Sequence, residues 1–166
     1  MNTAFGSYPS INWVQRRYRP SVDPAGVPVA ITQICPMQGS GSKAQLILFD
    51  DGQKYVVKFK GNIQGPRVLP NELIASRLAR LLGIPVGEFQ VVRVPQMFID
   101  FEPEMIRRPF VGGLQFGSLF YENAMASPTQ TMLGRLNNPS LLGAIVVFDH
   151  LIDNWDRSTG PTSFAW

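Results

Sequence analysis

The sequence predicts an α+β fold: a twisted antiparallel sheet carrying one amphipathic helix, followed by a second helix that is apolar almost all round. Three observations predict it. Short alternating runs between Val29 and Lys60 are separated by Gly, Ser and Asp, as strands joined by tight turns require. The run "NELIASRLARLLG" repeats its apolar residues at helical spacing. The run "NPSLLGAIVVFDHLIDN" is too long and too continuous for a strand.

Residues 1–28 hold four prolines and a basic cluster at Arg16, Arg17 and Arg19, which predicts an extended N-terminal arm. The cluster suits an acidic partner, and a solvated arm is the plainer reading. "VAITQI" then alternates as a first strand. "PMQGSGSK" supplies the glycines and serines of a turn, and "AQLILF" is a second strand. Asp51-Gly52 marks a tight hairpin turn, and "KYVVKFK" returns as the third strand. Its period of two places Tyr55, Val57 and Phe59 on one face and Val56, Lys58 and Lys60 on the other. A lysine in the middle of so apolar a strand requires solvent or a counter-ion.

The next helix is expected to start with Asn71 as its cap and Glu72 in the first turn, where the helix dipole favours a carboxylate. Ile74, Leu78, Leu81 and Leu82 form its apolar stripe, and Gly83 ends it. "EFQVVRV" and "QMFIDF" read as two more strands, which makes the five of the expected sheet, and "VGGLQFGSLFYE" reads as a strand running into a loop. Asn138 and Pro139 open the last helix, which runs to Asn154. Asp149 and Asp153 share one face of it, a solvated stripe before a metal site.

The totals narrow the function classes. A chain of 166 residues makes one domain or a small two-lobed unit, with enough length for a core without staples. At 45% hydrophobic and 16% charged residues it is globular. A net charge of +3, from 15 basic and 12 acidic residues, gives no footprint for nucleic acid. Cys35 is the single cysteine, so no internal disulfide forms, and a small core thiol is expected. No apolar run reaches the roughly 20 residues of a membrane span, and no signal peptide opens the chain, so a cytoplasmic protein is expected.

Order carries the chemical signal. A strand, a Gly/Ser turn, a strand, a hairpin, a strand centred on Lys58 and a helix opening with Glu72 follow the plan of a protein-kinase N-lobe. In that plan Glu72 is the counter-ion that Lys58 requires. "GSGSK" is not a Walker loop, and although Ser40 to Lys43 fits S-x-x-K, the companion motifs of penicillin-recognising enzymes are missing.

The segment "YVVKFKGNIQGPRVLPNELIASRLARLLGIPVGEFQVVRV" resembles the HipA-like kinase family, in particular its small stand-alone bacterial members. "LQFGS" and "FDHLIDNWDR" resemble later blocks of that family, so the resemblance runs from Val29 to Arg157. It implies a kinase-like N-lobe over 29–122, and over 123–166 a linker, the first helix of a C-lobe and a catalytic loop. It implies ATP as cofactor, with Gly39, Ser40, Gly41, Ser42 and Lys43 over the phosphates. Lys58 would bind the phosphates and Glu72 would hold Lys58. Val56 would be among the nucleotide-binding residues, and the segment from Phe116 to Leu119, with Gly117 and Ser118, would sit at the hinge beside the adenine. Asp156, in the N-x-D-R block, would accept the proton of a serine or threonine hydroxyl.

Family members follow that block with a histidine and, three residues later, a metal-binding asparagine. Here Ser158 and Pro161 stand at those positions, and proline offers no side-chain oxygen for magnesium. The tail "STGPTSFAW" departs from the family, so a catalytic loop cut off within its motif and weak or absent activity are expected. The alternative is a non-catalytic binding or oligomerisation module in which a second copy or a protein partner covers residues 139–154.

Overall fold

The computed structural model describes residues 26–38, 40–122 and 140–154. Five strands make one antiparallel sheet: β1 (Ala30–Pro36), β2 (Gln45–Phe49), β3 (Lys54–Lys60), β4 (Phe89–Val94) and β5 (Val111–Leu119). Their order across the sheet is β1-β2-β3-β5-β4, so β5 is inserted between β3 and β4. Helix α1 (Val68–Leu81) joins β3 to β4, helix α2 (Gln96–Phe101) precedes β5, and helix α3 (Ser140–Leu151) follows.

The sheet coils until its two edges meet. Val29, just ahead of β1, forms a parallel bridge with Arg93 of β4, and the Arg93 N–H donates to the Pro28 carbonyl at 2.8 Å. On the other side of the seam, the Val29 N–H donates to Asp50 Oδ1 at 2.9 Å. The concave face holds the core: Ile47, Phe49, Tyr55, Val57, Phe59, Val92 and Val94, covered by Ile99, Met105 and Phe110. Tyr55, Val57 and Phe59 all point inward, as their spacing predicts, and Phe59 stacks on Phe110 with centroids 4.4 Å apart.

Several sequence expectations are corrected. The segment "QMFIDF" is helix α2 and not a strand. In six residues, alternation of Met97, Ile99 and Phe101 cannot be told from one helical turn. Gln96 settles it, accepting the Gly112 N–H at 2.7 Å and donating to Asp100 at 2.9 Å, four residues on. The strand before a loop, "VGGLQFGSLFYE", is the fifth member of the sheet as β5.

Helix α1 starts at Val68, with Arg67 as an N-cap that makes no side-chain cap hydrogen bond, so Asn71 is not the cap. Pro70 does not break the first turn, because the N–H it lacks has no partner there anyway. Glu72 therefore lies a turn further in than expected. The predicted stop is found: Gly83 has φ +72, its N–H donates to the Arg80 carbonyl, and the Ile84 N–H donates to that of Ala79, closing a Schellman motif.

The buried residues of α1 are Ser76 and Ala79, whereas Ile74, Leu81 and Leu82 of the predicted stripe are exposed. Cys35 is likewise exposed, because β1 is the edge strand and its pairing with β2 shifts register twice.

In α3 Phe148 is buried, while Val146, Val147 and Leu151 are exposed, so the apolar helix is less covered than its composition predicts. Asn138 and Pro139, its expected start, lie outside the described residues. Past its end, Asn154 Nδ2 donates to Asp149 Oδ1 at 3.0 Å. No helix among the described residues is long and apolar enough to cross a membrane.

A polar chain crosses the open end of the core. Tyr55 donates its hydroxyl proton to Asp51 Oδ2 at 2.7 Å and accepts from the Gln90 amide. Burial, reinforced by the Asp51 carboxylate, raises the Tyr55 hydroxyl well above its ordinary value of 10.0. The folded state therefore holds this proton more tightly than the unfolded chain does. The stability it contributes is complete below pH 10 and is lost as the pH rises through the folded-state value. Urea unfolding of wild type and Tyr55→Phe at pH 8 and pH 11 measures this. Wild type is expected to lose more stability than the variant, by at most about 1.4 kcal/mol per pH unit above pH 10. Equal losses would refute the assignment.

Candidate functional site

The pairing register decides which side chains meet. Lys58 lies opposite Phe116 and Val56 opposite Ser118, while Leu46 lies opposite Val56 and Phe89 opposite Ser118. Directly opposed residues of antiparallel strands share a face. Leu46, Val56, Lys58, Phe116, Ser118 and Phe89 therefore line the convex side of the sheet, away from the core. Helix α1 crosses this side, its small buried residues Ser76 and Ala79 allowing close approach. The Arg80 guanidinium stacks 4.1 Å over the Phe89 ring, which in turn stacks on Phe116.

About two turns before Arg80, Glu72 meets Lys58 Nζ through Oε1 in an ion pair. Both side chains are about three-quarters withdrawn from water, at 27% and 25% exposure. This is the counter-ion that the apolar strand demands. Removing either partner leaves a partly desolvated charge unmatched.

The turn between β1 and β2 closes over itself. Ser40 Oγ lies 3.0 Å from Ser42 Oγ and accepts the Ala44 N–H at 3.3 Å, while the Lys43 N–H donates to the Ser40 carbonyl. Ser42 is buried, and Lys43 takes a left-handed φ of +56. Below it, Gln45 is fully buried, held by Gln33 at 2.6 Å and by the Lys43 carbonyl at 2.8 Å.

The structure thus brings Val56, Lys58, Glu72 and Ser118 to one side of the sheet, with the turn of Ser40, Gly41, Ser42 and Lys43 at the end of the first hairpin. Gly117 is different: it faces the core, where a Cβ would come within 2.9 Å of Val92 and 3.4 Å of Tyr55, so packing accounts for its being glycine. Gly39, Asp156, Ser158 and Pro161 lie outside the described residues.

Sequence reasoning passes over Asn62 and Gln64, between β3 and α1. Asn62 is buried, donates to the Phe59 carbonyl at 2.6 Å and accepts the Gln64 N–H at 2.9 Å. Its signal is present: an Asn that bonds the backbone two residues on, flanked by glycines, is an Asx turn.

The sequence profile of the HipA-like kinases matches residues 31–164. The chain belongs to the HipA-like kinase family. No curated protein and no solved structure matches it. The coiled sheet with α1 is the kinase-like N-lobe of this HipA-like chain.

Kinases of this kind use ATP with magnesium, which sets a test for the donors present. Glu72 is engaged by Lys58, and among the described residues no three His, Cys, Asp or Glu side chains group closely enough to hold a metal.

Proposed function

We propose that this HipA-like chain binds ATP on the convex side of the sheet and that its ancestral reaction is phosphoryl transfer to a serine or threonine hydroxyl. The observation that supports it is the Lys58–Glu72 pair, partly desolvated at the centre of β3 within a HipA-like kinase lobe. The ammonium offers positive charge to the phosphates, and the carboxylate fixes the rotamer from which it does so. Backbone N–H groups of Ser40, Gly41 and Ser42 in the turn add donors for phosphate oxygens. Val56 and Ser118, paired across β3 and β5, flank the place for the adenine.

In the transfer, the hydroxyl oxygen forms a bond to the γ-phosphorus, the bond to the bridging oxygen breaks, and Asp156 takes the hydroxyl proton. ADP carries away the electron pair of the broken bond. With Pro161 in place of the asparagine that the resemblance expects, transfer is slow and ATP binding depends little on magnesium.

Calorimetry with ATP, with and without magnesium, tests this reading. Lys58→Met is expected to weaken ATP by about ten-fold or more, about 1.4 kcal/mol, with circular dichroism checking that the variant is folded. Wild-type protein that binds no ATP would sink it. Tight magnesium-dependent binding would overturn only the statement about the metal.

A second reading, a binding module without catalysis, is favoured by one observation: Val146, Val147 and Leu151 of α3 are exposed. Contiguous apolar surface of this kind suits a second copy or a protein partner. Sedimentation at micromolar concentration distinguishes them, since self-association that Val147→Lys abolishes supports a second copy.

A further inference from the structure

We infer that Gln64 is the positioning residue of the phosphate-covering turn, joining that turn to the strand and helix that carry Lys58 and Glu72. The assignment of the turn to phosphate rests on the nucleotide reading above; the contact itself does not.

A side-chain carbon built on Gly41 would stand 2.7 Å from Gln64 Nε2 and 3.6 Å from its Cδ. The carboxamide of Gln64 thus fills the space that a side chain at position 41 would take. It lies against the bare backbone of the turn. The other fixed points of the turn come from its own hairpin: the Ser40 and Ser42 hydroxyls, the Lys43 carbonyl held by Gln45, and the Met37 N–H donating to the Ala44 carbonyl at 2.9 Å. Those bonds and the pairing of the flanking strands set its shape and its base, and Gln64 adds a contact from outside the hairpin.

Gln64 is well placed to transmit position because its own backbone is fixed. Its N–H donates to Asn62 Oδ1, and the Asn62 amide donates to the carbonyl of Phe59, the residue next to Lys58. Four residues after Gln64, α1 begins and carries Glu72 to the ion pair. Turn, lysine and glutamate are therefore held by one continuous piece of chain. The turn gains from this support, because Lys43 occupies a left-handed conformation that residues other than glycine rarely adopt.

Gln64 is exposed, so Gln64→Ala leaves the core untouched. Amide hydrogen exchange of the full-length protein without nucleotide reads the contact directly. Amides of residues 40–44 are expected to exchange several-fold faster in the variant, with those of β3 unchanged. The affinity for ATP is expected to fall several-fold while that for adenosine stays the same, because the turn addresses only the phosphates. Turn amides that exchange at the wild-type rate would overturn the inference. So would equal losses for ATP and adenosine, which signal general damage. If wild-type protein binds no ATP, the nucleotide reading falls, and the exchange result alone still decides the contact.

Discussion

Replacing Phe59 by alanine is expected to cost about 3–5 kcal/mol, a large share of the roughly 5–15 kcal/mol that holds a domain together. Phe59 is fully buried at the end of β3 and stacks on Phe110. Truncation removes the ring's burial and leaves a cavity that the coiled sheet cannot close, because Val57 and Val94 on neighbouring positions are themselves fully buried. Urea unfolding followed by circular dichroism measures the loss. Phe59→Leu, which keeps most of the volume, is expected to cost much less. A loss below about 1 kcal/mol for Phe59→Ala would mean that the ring is not in the core.

The second large effect is at Gly61, which turns the chain out of β3 with φ +75. A Cβ there would fall 1.9 Å from the Pro109 carbonyl oxygen and 3.2 Å from a methyl of Val111. Gly61→Ala therefore combines a left-handed residue with a backbone collision, and the strand pair must part to admit it. Gly52 supplies the control, with the same φ of +75 in the β2–β3 hairpin but nothing within 4 Å of a Cβ. Gly52→Ala is expected to cost about 1–2 kcal/mol from the conformation alone. Gly61→Ala is expected to cost at least about 2 kcal/mol more than that, as an overpacked position does. Equal denaturation midpoints for the two variants would show that the close approach is not formed.

Much of the lobe is legible in the sequence because its signals are local. The alternation in "KYVVKFK" fixes which residues enter the core, and the charge in its middle calls for a counter-ion, which Glu72 supplies. Gly83 ends α1 where it is expected to, since only the left-handed region closes that helix.

The remainder depends on contacts that sequence spacing does not carry. The start of α1 lies at Val68 because Pro70 fits a first turn as well as it breaks a later one. Helix α2 is hidden because a six-residue run has room for either period, and Gln96 chooses between them through a partner at Gly112. Residue type alone places Cys35 and the stripe of Ile74, Leu81 and Leu82 inside, yet edge position and helix rotation decide exposure. The site is legible in its charged pair and opaque at Gly117, whose backbone faces Val92 and not the site.

The insertion of β5 between β3 and β4 sets a timetable for synthesis. Strands β1, β2 and β3 emerge in an order that lets each pair with the one before it. β4 emerges next and has no ladder to join, since its neighbour in the sheet, β5, is translated only after α2. Until Leu119 is made, Phe89, Val92 and Val94 must wait as an unpaired apolar strand, and β3 keeps an open edge. Unpaired strand edges of this kind are the surfaces through which nascent chains associate wrongly. The bridge from Val29 to Arg93 joins the segment ahead of β1 to the strand that waits for β5. A pause in translation between β4 and β5 would thus lengthen the exposure of both open edges.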